Sequence, residues 1–198
     1  YNSMLAQSRG ECGYGWSHSY EQKIKDMGGL IEYSMSPCSV ASFVSKELSD
    51  GVVYGYQSGN SIILDEEAEY LGTYVATGTV MEGATIEKKS AGDGYLYELT
   101  DKAGTVSTFD TDGDLVKIED QNGKSISFVR SEAEVAVTDD ISGESLVLMY
   151  EDGNLTAAAD DHGRICRFAY DEDGNLISYT DAAGNTTSFS YDKEHHMT

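Results

Sequence analysis

A short pattern, Asp-x-x-Gly, returns about every ten residues through the second half of this chain and constrains its folding more than any other feature. It stands at Asp101/Gly104, Asp110/Gly113, Asp120/Gly123, Asp140/Gly143, Asp160/Gly163, Asp171/Gly174 and Asp181/Gly184. Asp at the first position of such a turn accepts a hydrogen bond from the backbone two residues on. Gly at the fourth takes positive φ at no steric cost, so each copy reverses the chain. Gly153 keeps the period with Tyr150 in the Asp place, and Ser131-Glu132-Ala133 falls where a turn is due between Gly123 and Gly143. Short runs between reversals predict hairpins in series.

The turns alternate in kind. After Gly113, Gly153 and Gly174 a Leu follows two places on (Leu115, Leu155, Leu176). After Gly123, Gly143, Gly163 and Gly184 the odd positions read Ile126/Phe128/Arg130, Leu146/Leu148/Tyr150, Cys166/Phe168/Tyr170 and Thr187/Phe189/Tyr191. Side chains alternate along a strand, so these residues share a large, apolar face, and Ser125, Ser127, Thr186, Ser188 and Ser190 take a small, polar one. The expected fold is all-β: serial antiparallel hairpins forming a long curved or spiralling sheet, with a repeat of about two strands. Strands are also expected at Leu30 to Tyr33, Ala41 to Val44, Gly51 to Tyr56, Ile62 to Leu64, Thr73 to Met81, Ala84 to Lys88 and Tyr95 to Thr100. We divide the chain at Gly92-Asp93-Gly94 into an irregular β region, 1–94, and a regular region, 95–198.

Among 198 residues, 13 Lys and Arg face 35 Asp and Glu, a formal net charge of −22. Such a balance repels phosphate backbones and anionic lipid, which argues against nucleic acid as a partner. No run of 18 apolar residues is present, so membrane insertion through a helix is not expected. The chain starts at Tyr1 with the repeat still in phase at Tyr191-Asp192-Lys193, and we read it as a piece of something longer.

The candidates for chemistry each have a structural reading beside the functional one. Trp16 in Gly13-Tyr14-Gly15-Trp16 is a ring set among glycines, expected as a core anchor, with a sugar-stacking platform formed with Tyr14 as the alternative. Tyr54, Tyr56 and Tyr74 would extend that platform. Asp65 to Glu69 reads as an exposed charge run. The Asp-rich turns at Asp110 and Asp171 have alternating oxygens, but Gly at position four and Gln121 or Ala182 at position twelve do not make a calcium loop, and turn formation explains the Asp residues without metal. His18, His162, His195 and His196 lack zinc-ligand spacing. A Cys12/His18 or a Ser-His-Asp nucleophilic set stays open at this stage, since such groups converge only in three dimensions. Three Cys are too few for a disulfide framework: Cys166 is in phase with Phe168 and Tyr170 and reads as buried, and Cys12–Cys38 pairing is left open. No catalytic residue, cofactor or metal is expected.

The stretch YDEDGNLISYTDAAGNTTSFSYD, 170–192, resembles the YD repeat of bacterial RHS (rearrangement hotspot) proteins, with its Tyr-Asp, Gly-x-Leu, Thr-Asp-x-x-Gly and Tyr-x-Tyr-Asp. The opening YNS…GYGWSHSYEQKI is similar to the N-terminal RHS-associated region that precedes such repeats. The resemblance implies a non-catalytic fragment of a secreted or cell-envelope protein whose repeats wind into a shell around a C-terminal, toxin-like domain. Its partners would be the rest of its own parent chain, with edge-mediated self-association of the piece by itself. The competing reading is a cell-surface adhesin or carbohydrate-binding module whose partners are glycans.

Overall fold

The computed structural model describes residues 1–37, 39–49, 55–58, 61–64 and 70–198. They form two compact units, one of Tyr1–Glu21, Ser36–Cys38 and Lys124–Thr198, the other of Gln22–Met35 and Ser39–Gly123. The strands in chain order are β1 (Arg9–Gly10), β2 (Gly13–Tyr14), β3 (Lys23–Asp26), β4 (Leu30–Ser36), β5 (Ser39–Ser45), β6 (Gly55–Ser58), β7 (Ser61–Leu64), β8 (Gly72–Ala76), β9 (Thr85–Ala91) and β10 (Gly94–Thr100). They continue as β11 (Val106–Phe109), β12 (Leu115–Glu119), β13 (Ser125–Arg130), β14 (Glu134–Asp139), β15 (Ser145–Glu151), β16 (Asn154–Asp160), β17 (Ile165–Tyr170), β18 (Leu176–Thr180) and β19 (Thr186–Ser188). The only helical pieces among the described residues are a 3-10 turn, Ser3–Leu5, and α1, Lys46–Ser49. The all-β expectation holds, and neighbouring strands are antiparallel throughout both units.

In the second unit the sheet order is β12-β11-β10-β9-β8-β5-β4-β3, with β6 and β7 as a separate hairpin. Gly92-Asp93-Gly94 is a tight reversal in which Ala91 faces Gly94, so β9 and β10 are one hairpin. Inward positions alternate along each strand and place Ile31, Tyr33, Phe43, Tyr74, Ile86, Tyr97, Leu99, Phe109 and Leu115 in the core. The β8 strand ends at Ala76, short of the expected Met81, because residues 77–84 turn back to deliver Ala84 to the core. The outer strands of this unit meet at one bridge, Lys23↔Asp114. There the Ile24 N–H donates to the Gly113 carbonyl (2.9 Å).

In the first unit β13 to β19 follow one another in chain order, and β1 pairs with β2. Phe128 faces Val137, which faces Leu146; Val135 faces Leu148. These residues are packed inward, except that Leu146 is half-buried. The opposite face differs from a uniformly polar one: Val129, Ala136, Val147, Ala159 and Ile165 oppose one another across five strands, with Val129 72% exposed. That face is small before it is polar, since Ala, Ser, Thr and Val all suit a flat pleat.

Six of the Asp-x-x-Gly turns share one geometry. At Asp181 the carboxylate Oδ1 accepts the N–H groups of Ala183 (2.9 Å) and Asn185 (2.8 Å), and the Gly184 N–H donates to the Asp181 carbonyl (3.0 Å). The same set recurs at Asp101, Asp110, Asp160 and Asp171, and at Asp120 for Asn122 and Gly123. Gly104 closes its turn as the fourth residue, as the sequence pattern expects. Lys102 and Ala103 make the turn, and Gly104 is half-buried at φ 80° where the chain starts back toward β11. Its N–H donates to the Asp101 carbonyl (3.0 Å), as that of Gly163 does to the Asp160 carbonyl (3.1 Å). A Cβ added at Gly104 would meet only the Gln121 Cβ, at 3.6 Å, so its conformation and not its space calls for glycine.

Two turns depart from the shared geometry. At Gly143 the acceptor is Asp139, whose Oδ1 takes the Ile141 and Ser142 N–H groups, so the expected Asp140 is displaced by one residue and its carboxylate receives the Ser125 and Ser127 hydroxyls instead. At Gly153 no Asp stands in the first place, and the reversal is a two-residue Asp-Gly turn with φ 49° at Asp152 and 77° at Gly153, facing Glu151 to Asn154. Both φ values are positive, which is what a type I′ hairpin loop requires.

Hydrogen bonds from Asn185 and Ala183 hold the Asp181 carboxyl below its usual range, and those from the His196 and Glu194 amides do so for Asp192. A depressed folded value means that this contribution is present above the unfolded Asp range, about 4, and is lost as pH falls through the folded value. Protection of the Ala183 and Asn185 amides, measured against their intrinsic exchange rates, therefore falls on acidification, and Asp181→Asn removes that pH dependence, as NMR-detected exchange will show. Glycine substitutions separate conformation from space. Gly113→Ala, where a Cβ would sit 1.9 Å from the Ile24 carbonyl oxygen, unfolds the second unit or costs several times more than Gly123→Ala. Gly123 has the same φ of 78° and open space, so its substitution costs about 1–2 kcal/mol in a denaturation midpoint.

Candidate functional site

Two clusters of buried ionisable groups are built by these strands, one in each unit. In the first, the β1–β2 hairpin carries Glu11 and Cys12 at its tip, and Leu155 donates its N–H to the Glu11 carbonyl (2.7 Å), fixing that tip on β16. Glu11 Oε2 accepts from His18 Nε2 (2.8 Å) and from the Tyr150 hydroxyl (2.7 Å), and Arg130 lies 3.9 Å from Oε1. The Tyr20 N–H donates to His18 Nδ1 (3.3 Å), so the imidazole proton is on Nε2, toward Glu11. Glu21 accepts the backbone N–H groups of Glu11 and His18. Burial pushes Glu11 up, but the bonds from His18 and Tyr150 and the Arg130 charge outweigh it and leave the carboxyl below its usual range. Burial leaves Glu21 above it, in spite of the bonds from the Glu11 and His18 amides. Burial, with Glu21 and Glu11 adding their charges, raises the Cys12 thiol to about 12. A nucleophilic Cys needs the opposite shift, so the Cys12/His18 set does not form: His18 serves Glu11, and Cys12 stays a thiol. Cys38 lies outside the described residues, and with it the Cys12–Cys38 question.

The second cluster sits under β9. Alternation places Lys88 inward after Ile86, its side chain 4% exposed, and its ammonium meets Asp26 Oδ2 at 2.6 Å. The Tyr97 hydroxyl donates to the same oxygen (2.8 Å), the Gly28 N–H donates to Oδ1 (2.8 Å), and the Lys88 ammonium lies 4.0 Å from the centre of the Tyr95 ring. The charge pair is thus completed by two donors and a π face. Tyr74, offered by the sequence as a surface platform, is fully buried, its hydroxyl donating to the Gly28 and Tyr70 carbonyls (2.6 and 2.8 Å). An open cleft of about 470 Å³ lies beside this cluster, lined by Lys23, Lys25, Asp26, Glu32, Tyr97 and Asp112.

Trp16 and Tyr14 are half-buried against their own chain. The Trp16 ring packs against Tyr1 (centroids 5.6 Å apart) and Phe189 (5.1 Å), and its Nε1 donates to the Tyr191 hydroxyl (2.9 Å), which donates to the Leu176 carbonyl (2.8 Å). Tyr14 stacks on His195. Tyr54, Tyr56 and the Asp65 to Glu69 run fall outside the side chains described. His162 and His196 sit at exposed turns beside Asp161 (2.7 Å) and Asp192 (3.4 Å). Cys166 is half-buried and accepts from the Tyr179 hydroxyl (3.3 Å).

Residues 170–198 match the model of the RHS Repeat family. The matched stretch begins at Tyr170, spans the Asp171 and Asp181 turns and ends past the Asp192 turn, and it supports an RHS-repeat protein. No curated protein matches the chain. The Asp192 turn was missed by a reading tied to Gly, because His195 takes the left-handed place with φ 62°. The signal was present: Tyr191-Asp192 repeats the phase of Tyr170-Asp171. The Glu11 and Lys88 clusters were also missed, since pairing over long sequence separations leaves no local mark.

The two glutamates respond oppositely to neutralisation. A depressed Glu11 contributes stability above the unfolded Glu range that is lost in acid, whereas a raised Glu21 contributes below that range and loses it as pH rises. At pH 7 Glu11→Gln destabilises by about 1–3 kcal/mol, while Glu21→Gln is neutral or stabilising. Urea titrations at pH 7 and in acid will show the difference closing in acid. Lys88→Ala strands Asp26 and costs about 3–5 kcal/mol by the same measurement.

Proposed function

We propose that the chain is a non-catalytic scaffold segment of a secreted or cell-surface RHS/YD-repeat protein, part of a β-shell that encloses or displays a C-terminal, toxin-like domain. The observation that carries this reading is the series of interchangeable turns. Each Asp is occupied by the amides of its own reversal, so the repeated acids are explained as architecture and need no substrate. The rings that could have read a ligand, Trp16 and Tyr14, are engaged by Tyr1, Phe189, Tyr191 and His195. The match over 170–198 supports the family part of the proposal, and extracellular placement follows from what RHS-repeat proteins generally are.

The partner is the remainder of a longer parent chain, docked on the outer edge of β19. Thr186, Thr187 and Ser188 are all exposed there, and no further strand covers that edge among the described residues. An uncovered strand edge recruits another strand. In sedimentation velocity the isolated chain is expected to associate as concentration rises, and Ser188→Pro, which removes an amide that faces out from β19, to suppress it. A sharp monomer at high concentration overturns the edge argument. On a glycan array the chain is expected to be silent; saturable binding abolished by Trp16→Ala would replace the scaffold with a carbohydrate-binding module.

A further inference from the structure

Residues Tyr1 to Trp16 lie across the ends of successive hairpins of their own unit, and one residue on that path breaks the rule of the other turns. Arg9 Nη2 donates to Asn154 Oδ1 (3.1 Å), beside the Asp152-Gly153 reversal. Gly13 and Arg9 press on Gly174, where added Cβ atoms would come within 2.7 Å of the Gly174 carbonyl oxygen and 3.3 Å of the guanidinium. At the next end, Tyr1 donates its hydroxyl to the His195 carbonyl (2.7 Å) and accepts the Met197 N–H (2.9 Å), and Gln7 donates to the Glu194 carbonyl (2.8 Å).

The rule broken is glycine in the left-handed place. His195 holds φ 62° there, while the turns at Asp101, Asp110, Asp120, Asp160, Asp171 and Asp181 all use Gly. A side chain kept in that conformation carries a steric penalty, and an observed outlier asks what the side chain does. Its ring stacks on Tyr14, centroids 3.8 Å apart and planes 13° from parallel. Its Nδ1 lies 2.7 Å from Oδ1 of Asn175, a residue only 4% exposed. Asn175 turns its Nδ2 to Asp171 Oδ2 (2.9 Å), so its oxygen faces the imidazole as acceptor and the proton is on Nδ1.

We propose that His195 is a latch: it accepts strain in its own turn in order to hold the N-terminal segment as a strap across the hairpin ends. The strap, once latched, keeps Trp16 against Phe189 and couples hairpins that otherwise touch only their nearest neighbours. This holds independently of the shell reading.

The test is His195→Gly in the full chain, read by amide exchange and limited proteolysis. If the residue only turns the chain, Gly relieves the strain and leaves the strap as tight as before or tighter. If it is the latch, exchange and cleavage within residues 1–16 accelerate by about tenfold, the loss of one aromatic stack and one hydrogen bond, while the Asp192 turn is no less protected. Tyr14→Ala, which leaves the turn untouched, should loosen the strap in the same way, and Tyr14→Phe should not. A strap unchanged in both His195→Gly and Tyr14→Ala overturns the proposal.

Discussion

The repeat region depends on one contact, a carboxylate oxygen accepting two backbone N–H groups across a reversal. The Asp at the head of each turn supplies an acceptor that the chain otherwise lacks where it leaves one strand, and Gly supplies the left-handed step that brings it back. The donors are themselves backbone, so the bond survives almost any residue at the two middle positions, from Lys102-Ala103 to Asp161-His162. The Asp residues at the heads of these turns are therefore first of all structural acceptors. Solvation of the remaining lone pairs follows from where the turns sit.

A serial sheet solves one problem and leaves another. Nearest-neighbour pairing satisfies the backbone, but it covers neither the large face of each strand nor the ends of the row. In the first unit the N-terminal segment supplies that cover, with Tyr1, Trp16 and Tyr20 set against Tyr191, Phe189 and Phe128. In the second, the sheet curls until Lys23 meets Asp114, and its interior is filled by Phe43, Tyr74, Phe109 and the aliphatic residues around them. Tyr74 and Tyr97, which are buried, and Tyr150 and Tyr170, which are half-buried, each find an acceptor for their hydroxyl, so the rings fill volume without stranding a polar atom.

What could be read from the residues was what is local. Asp-x-x-Gly places donor and acceptor within five residues, so its turns and the strands between them were visible along with the inward faces of Phe128, Leu148 and Leu155. The half-burial of Gly104 was not, because it depends on where Gln121 of the neighbouring turn comes to lie. The one-residue shift to Asp139 was not visible either, because Asp139 and Asp140 are chemically equal and only the strand register chooses between them. Contacts such as Glu11 with Tyr150 and Asp26 with Lys88 depend on the path of the whole chain. The burial of Lys88 was within reach, since it stands two places after Ile86 on one strand, but composition argues against an inward lysine until its counter-charge is known.

The self-contained turn also has a bearing on how such a chain can lengthen. An Asp-x-x-Gly reversal carries its own donors and acceptor, so a duplicated two-strand block brings along all that its bends require and leaves the pleat in phase. The N-terminal segment follows a different logic, because Arg9, Gly13 and Tyr14 each meet one particular bend. Duplication inside that span would misalign every one of those meetings, whereas blocks added beyond it would disturb none. New blocks are accordingly free to accumulate only past the reach of the opening residues.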